Sequence, residues 1–435
     1  MENKKIKILI TGDNGESLPP PYGGIIKRCL LHAKQWRELG AQVYIHVHHK
    51  HDGEEDLDAR AEYFYDFDGN PSSWDKIKFI GNYFFAGPLL FSELFFLQLT
   101  LFKELMLRSF VYCAARGVYL SREVKKIKPD IIITETGGPQ STVAIKIAKK
   151  YGIPAVLENY AEIQYKGPEE DTGINLAPKY KRLWEYLVNN VDLVVPPSQH
   201  CSAGPKLYLK DASKMKIVYS GVNFVIFNGN FSPTKEEARK EFSLPADKFL
   251  IMAVGALRTR KGHIHLMEAL LKLPDDQLSK INLVLCGMGD AIAMRQRARE
   301  LGFPVECLKI FQGLAEEELA RLYAAMDCFC VMALTARECM GMALKEAMSI
   351  GLPIVAYNVG GVKEAVEDNV NGFLISPGDK QSLVDSILKI MNLSDEERRF
   401  IKNNNITKVQ RLFDIKVTAK QLYGEIVKLI PKKDA

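Results

Sequence analysis

The sequence predicts an α/β protein made of two doubly wound parallel-sheet domains, each Rossmann-like, with an interdomain cleft between them. Three observations predict it. Short apolar runs alternate with amphipathic helical stretches through both halves of the chain. Several of those runs end directly in glycine-bearing turns. A length of 435 residues, 47% of them hydrophobic, supplies two cores rather than one.

The elements follow in order. IKILITG (6–12) reads as a strand that feeds the Gly23-Gly24 turn and a helix carrying Leu30, Leu31, Trp36 and Leu39, and AQVYIHV returns as the next strand. KPDIIITE (128–135) runs into Gly137-Gly138 and a helix near 140–151, followed by IPAVLE and DLVVPPS (192–198). In the second half, FLIMAVGAL (249–257) precedes RTRKG and a helix, and INLVLCG (281–287) precedes another. DCFCVMA, LPIVAYN and GFLIS come after. Near-continuous apolar strands separated by helices mean parallel sheets covered on both faces. The text turns Gly-, Asn- and Pro-rich in SGVNFVIFNGNFSPT, so the domains are expected at 1–220 and 221–410, with a final helix at 411–435 packing back on the first. Ligands of such sheets sit beyond the carboxyl ends of the strands, which puts the expected site in the cleft.

Charge and cysteine usage exclude several classes. Fifty-eight Lys and Arg against 53 Asp and Glu give a net charge of +5, too mild for a nucleic-acid binder. Eight scattered cysteines without C-x2-C pairs read as reduced thiols of a cytoplasmic protein, and no metal site is expected. MENKKIKILITGDNG goes from charge straight into a strand, without the apolar stretch of a signal peptide, so the mature chain is expected to start at Met1. HVHHKH (46–51) reads as solvated histidines at a strand end, because it lacks a spaced partner set of metal ligands. His263 and His265 read as helix-surface residues. The Phe- and Leu-rich segment 78–117 carries Asn82, Pro88, Glu93, Gln98, Lys103 and Glu104, which argues against a membrane span. Two readings remain for it: a helix buried in the first domain, or an apolar face laid on lipid or lining a hydrophobic groove. In the stretch 171–187, Trp184 and Tyr186 are available either for sugar stacking or for packing.

The strongest chemical signal is RECMGMALKEAMSIGLPIVAYNVGGVKEAV. Glu338 and Glu346 stand eight positions apart, and a helix starting near Gly341 would leave free backbone N–H groups at Met340, Gly341 and Met342. Carboxylates accept hydrogen bonds from vicinal hydroxyls and a helix start receives phosphate charge, so the pattern fits a diphosphate flanked by two sugars. A surface Glu, with the other solvated or paired with Lys345, is the bland alternative.

The segment resembles the E-x7-E signature of retaining glycosyltransferases of the GT-B fold, family 4. The order Glu338, Gly341, Glu346, Ala347, Gly351, Pro353, Ile354, Val355, Ala356, Gly360, Gly361 and Glu364 carries the likeness. VGALRTRKG, LVLCGMGD, KIFQGL and LARLYAAMDCFC are similar to the strand ends of that family's donor domain, and PPPYGGIIKRC to its opening glycine loop. The resemblance implies GT-B architecture, with 1–220 as the acceptor domain and 221–410 as the donor domain. It implies transfer of a hexose-type sugar from a UDP- or GDP-sugar to a hydroxyl of a saccharide or lipid-linked acceptor, as in polysaccharide biosynthesis, with retained configuration and without cofactor or metal.

Residue by residue, the resemblance implies that Glu346 binds the ribose hydroxyls, Glu338 the transferred sugar and Lys261 the diphosphate. The N–H groups around Met340 to Met342 and the Gly23-Gly24 loop would complete the phosphate cradle. Three departures stand out. Ala256 occupies the slot of the family's usual arginine, which leaves Arg258 or Arg260 to supply that charge; Arg258 is the favoured choice because Arg260, beside Lys261, would face solvent. No histidine follows IPAVLENYAE, so Glu158, Asn159 or Tyr160, with Glu135 at a neighbouring strand end, would serve the acceptor side. Cys339-Met340 replaces the usual Gly-Phe. Two rival readings are a degenerate sugar-nucleotide-binding partner subunit and a sugar-nucleotide epimerase. The expected placement is cytoplasmic, including peripheral contact on the inner face of a membrane.

Overall fold

A computed structural model describes residues 5–12, 24–49, 62–67, 72–101, 107–159, 181–228, 233–334 and 339–431. Contacts group them into two units, the first taking residues up to 219 and again from 418, the second those from 220 to 417. In the first unit β1 (Lys7–Gly12), α1 (Gly24–Glu38), β2 (Gln42–His49), β3 (Glu62–Phe67), α2 (Ser73–Ala86), α3 (Pro88–Leu101) and α4 (Leu107–Ile127) come in chain order. After them come β4 (Ile131–Glu135), α5 (Pro139–Lys150), β5 (Ala155–Glu158), α6 (Lys181–Asn189), β6 (Leu193–Val195) and α7 (Gln199–Tyr208). The strands pair in parallel in the order β3-β2-β1-β4-β5-β6. β4 is buried along its whole length and β1 along nearly all of it, as Ile- and Leu-rich strands covered on both faces must be.

The second unit opens with α8 (Phe224–Phe227), α9 (Lys235–Glu241), β7 (Phe249–Val254), α10 (His263–Leu270), α11 (Asp275–Leu278) and β8 (Ile281–Cys286). It continues through α12 (Ala291–Glu300), β9 (Leu308–Phe311), α13 (Glu316–Ala324), β10 (Cys328–Val331), α14 (Met342–Ile350), β11 (Ile354–Tyr357) and α15 (Val362–Ala365). β12 (Gly372–Ile375), α16 (Lys380–Met391) and α17 (Asp395–Leu412) follow, and α18 (Ile415–Leu429) starts here. Its later turns group with the first unit, where the Trp36 indole N–H donates to the Ala419 carbonyl at 3.0 Å. The second sheet runs β12-β11-β10-β7-β8-β9, again all parallel.

Both sheets therefore share one strand order, and each reverses direction between its first and fourth strand: β1 beside β4, and β7 beside β10. Those reversals open the crevices where ligands of doubly wound sheets bind. The predicted strands are found in place. β3 was not foreseen from the sequence, because EYFYDF is an edge strand paired only with β2 and has a mixed polar and aromatic pattern.

The structure corrects two other readings. The segment 78–117 is not one helix: α2 ends before Gly87, and Pro88 opens α3, since proline suits a first helical turn and cannot sit inside one. His46 is not a solvated histidine. It is buried on β2, with Nδ1 3.0 Å from Thr11 Oγ1 and Nε2 2.9 Å from Asp66 Oδ1, while Asp66 also pairs with Arg116 of α4. The expectation of reduced thiols is met at Cys29, Cys113, Cys286, Cys307, Cys328 and Cys330 and not at Cys201 and Cys339.

Candidate functional site

In the second unit the crevice between β7 and β10 is built from glycine. Gly287, at the end of β8, lies so close to the Gly255 carbonyl that a side chain there would stand 2.1 Å from that oxygen. The loops after β7 and β8 are therefore in backbone contact, and the Leu257 N–H donates to the Met288 carbonyl at 2.8 Å. A single turn of 3-10 helix at Thr259–Lys261 ends in left-handed Gly262 (φ 71°), which starts α10. A Cβ on Gly262 would fall 1.9 Å from the Met332 carbonyl oxygen. Beside it the Leu334 N–H donates to the Arg260 carbonyl at 3.1 Å. The turn after β7 and the segment after β10 are thus locked side by side.

Lys261 folds its methylenes over Gly255, 3.2 Å from where a Cβ would be, and is half-buried there. Arg260, expected from the sequence to face solvent, is half-buried as well, so the reason for favouring Arg258 over it does not hold. Arg258 is exposed and lines a groove of about 530 Å3 with Thr259, His265, Glu268, Asp290 and Arg297, between α10 and α12. His263, read from the sequence as a surface residue, is buried, with Nε2 3.3 Å from the Ala256 carbonyl oxygen; burial lowers its pKa and favours the neutral ring.

α14 begins after Gly341, whose φ of 66° is open to glycine and strained for other residues. Cys339 and Met340 are buried just ahead of it, and the first N–H groups of α14 have no carbonyl one turn earlier to bond. One turn in, Glu346 is only 3% exposed, and its Oε2 lies 3.2 Å from the Tyr323 hydroxyl, whose one proton is shared with the Ala343 carbonyl at the same distance. Tyr323, on α13, is held between the rings of Phe227 and Phe329, with centroids at 5.9 and 5.5 Å. Burial and the Glu346 charge push its phenol well up, so it stays a hydrogen-bond donor. Burial, and then Glu346, also push the Cys286 thiol up to about 12. Lys345 points another way: its Nζ donates to the Ser220 carbonyl at 2.6 Å and sits over the Phe413 ring.

Sequence reasoning missed Tyr323, because LARLYAAMD reads as an ordinary amphipathic helix with a core tyrosine. A hydroxyl on the buried stripe of α13 was the available signal, since a buried hydroxyl must find a partner. Where Glu346 contacts the ligand of this crevice, Tyr323→Phe is expected to weaken affinity for that ligand about three- to tenfold with the rate at saturation unchanged, because the ring stays packed and only the hydroxyl that meets Glu346 and the Ala343 carbonyl is lost. Titration calorimetry beside turnover checks this, and a loss confined to kcat would refute the positioning role.

In the first unit the register places Gly12, Glu135 and Glu158 side by side at the carboxyl ends of β1, β4 and β5. Both glutamates are buried. Glu158 pairs with Arg28 of α1 at 2.9 Å, and His32 Nδ1 lies 3.6 Å away. Burial lowers the His32 pKa, although Glu158 pulls it upward. The Glu135 carbonyl accepts from Ser141 Oγ at 2.8 Å. Trp184 is buried with its ring against Gly137, which settles its role as packing. Gly24 opens α1. Gly23, Tyr160 and Glu338 lie outside the described residues. Among the described residues no group of three His, Cys, Asp or Glu side chains is placed to hold a metal ion.

Residues 234–406 match the family model described as glycosyl transferases group 1. The chain is 27% identical over 287 residues to the sulfoquinovosyl transferase SQD2 of Arabidopsis thaliana, covering 64% of this chain and 52% of that protein. It is 26% identical over 269 residues to the D-inositol 3-phosphate glycosyltransferase of Corynebacterium urealyticum, covering 60% of this chain and 62% of that one. The match thus spans between half and two thirds of the length of these relatives. Among solved structures, Anabaena Alr3699/HepE in complex with UDP superposes with a TM-score of 0.71 at 19% identity, covering 98% of this chain and 100% of that one. At that identity the likeness establishes the fold.

Proposed function

We propose, from the premise that residues 234–406 are a glycosyl transferases group 1 domain, that the chain is a retaining glycosyltransferase. It would move a hexose-type sugar from a nucleoside diphosphate sugar to a hydroxyl of a saccharide or lipid-linked acceptor. The observation that carries this reading is the crevice of the second unit. There a lysine folded over Gly255 and the free start of α14 stand at the same strand reversal, with buried, tyrosine-held Glu346 one turn further along α14.

Each part matches one part of the donor. Glu346 accepts from the two ribose hydroxyls, which is why its carboxylate needs a fixed rotamer. The N–H groups at Met340 to Met342 and the Lys261 ammonium take the diphosphate, whose charge grows as the sugar bond breaks. Charge placed in advance at a low-dielectric crevice stabilises that growth without reorganisation. Arg258 or Arg260 adds a second cation, and Glu338 is assigned to the transferred sugar. The leaving phosphate, on the face the acceptor enters, takes the acceptor proton, so no separate base is required. Glu135 remains the candidate on the acceptor side. Glu158 is engaged with Arg28, which makes it an orienting group there rather than a free acceptor contact.

Anabaena HepE was solved with UDP-glucose, which makes UDP-sugars the first donors to try. A thermal-shift panel of UDP, GDP and ADP and their common sugars tests the reading, because a ligand that binds only the folded state raises its melting temperature. One base should give a clear shift, with slow hydrolysis of its sugar nucleotide. Binding without any turnover in the presence of acceptor extracts would favour the partner-subunit reading, and interconversion of two sugar nucleotides the epimerase.

A further inference from the structure

The outer edge of α2 and α3 is bare. Trp74, Ile77, Phe84, Phe85, Leu89 and Phe96 are all exposed, with Phe85 and Leu89 at 82% and 83%. The two helices diverge by 117° at Gly87, so Phe84, Phe85 and Leu89 stand at the corner. No charged residue occurs from Phe79 to Ser92. The opposite side of the pair is firmly seated: Phe79, Leu90, Phe91 and Leu94 belong to the core of the first unit. A rigid apolar corner of this kind is more than scattered surface hydrophobicity.

What surrounds the corner selects its partner. Lys76 and Lys78 on α2 and Arg122 and Lys125 on α4 are exposed, and the Arg122 guanidinium lies 5.8 Å from the Tyr83 ring, which brings the basic end of α4 beside α2. The nearby acids are already engaged: Asp75 caps α2 through Ser72, Glu123 pairs with Lys126 and Glu93 with Lys146. Lys78 lies over the Trp74 ring at 5.9 Å, the pairing of an amphipathic ring and a cation that suits a lipid headgroup region. Among the described residues no single helix is long and apolar enough to cross a bilayer, while α2 and α3 together pass that test as a bent pair.

We propose that the α2–α3 corner inserts into one leaflet of an anionic membrane, with the Lys and Arg side chains of α2 and α4 on lipid phosphates. The corner supplies apolar insertion and the flanking cations supply attraction, the two signals that reversible membrane attachment requires. The contact is independent of the transfer reaction, and its failure would leave the donor site untouched.

Trp74 provides the readout, because it is 62% exposed while Trp36 and Trp184 are buried. The full chain is floated with phosphatidylcholine vesicles with and without about one third phosphatidylglycerol. It should float with the anionic vesicles, with a blue shift of Trp emission and quenching by brominated lipid. Phe85→Ser with Leu89→Ser should lower the bound fraction about tenfold or more without lowering the melting temperature, since both side chains are already in water. Lys76→Glu with Lys78→Glu should remove the preference for anionic vesicles. Absence of flotation, or flotation unchanged by the Phe85 and Leu89 substitutions, overturns the proposal. So does a concentration-dependent dimer that those two substitutions abolish in a chain that ignores vesicles, because the corner would then bind a second copy.

Discussion

Lys261→Ala is expected to lower turnover of the sugar nucleotide by about a hundred- to a thousandfold, the scale of losing one preorganised charge at a developing anion. The fold should survive it. The turn is held by its backbone, through Gly262 N–H to the Thr259 carbonyl at 3.0 Å and Leu334 N–H to the Arg260 carbonyl. The melting temperature should therefore stay near that of the unaltered chain while kcat collapses and nucleotide affinity falls less. Lys261→Arg should restore only part of the rate, because a guanidinium forks and cannot occupy the compact position over Gly255. Donor hydrolysis followed by nucleotide release measures all three proteins. Turnover within about threefold of the unaltered chain would remove Lys261 from the transition state.

Glu346→Gln is expected to weaken nucleotide binding about ten- to a hundredfold, since hydrogen bonds to a charged acceptor are worth about 1.5–3 kcal/mol. Gln keeps the shape, and its carbonyl can still accept from Tyr323, so the loss isolates the charge. The apo melting temperature should change little. Binding of a 2′,3′-dideoxynucleotide, which lacks both hydroxyls, should be weak to begin with and insensitive to the substitution. Calorimetric titration of the preferred nucleotide and its 2′,3′-dideoxy analogue into both proteins decides the matter. Equal losses for the two ligands would place Glu346 away from the ribose.

Membrane contact and donor chemistry rest on separate surfaces of the chain, so these two substitutions and the vesicle experiment fail independently. The α2–α3 corner draws on residues whose apolar character is plain in the sequence. Their exposure is not, because an apolar helical stripe reads the same whether it faces a core or a leaflet.

The sequence by itself determined the architecture. The runs III (131–133) and LVLC (283–286) are apolar at every position and too short for helices, and their alternation with helical stretches is what pointed to parallel sheets covered on both faces. The helix start at Gly341 and the carboxylate at Glu346 were equally legible, because spacing along a helix is a local property. Tertiary structure alone decided which side chain each carboxylate meets. Lys345 is adjacent to Glu346 in sequence yet reaches Ser220, because neighbours on a helix point about 100° apart. Tyr323 meets Glu346 from 23 positions away. His46 is buried because β3, an edge strand with no clear pattern, brings Asp66 beside it, and Glu158 takes Arg28 from 130 residues earlier in the chain. Backbone pattern is written in short-range periodicity. Partners of buried charges are chosen by packing at long sequence range, where one sequence carries no local signal.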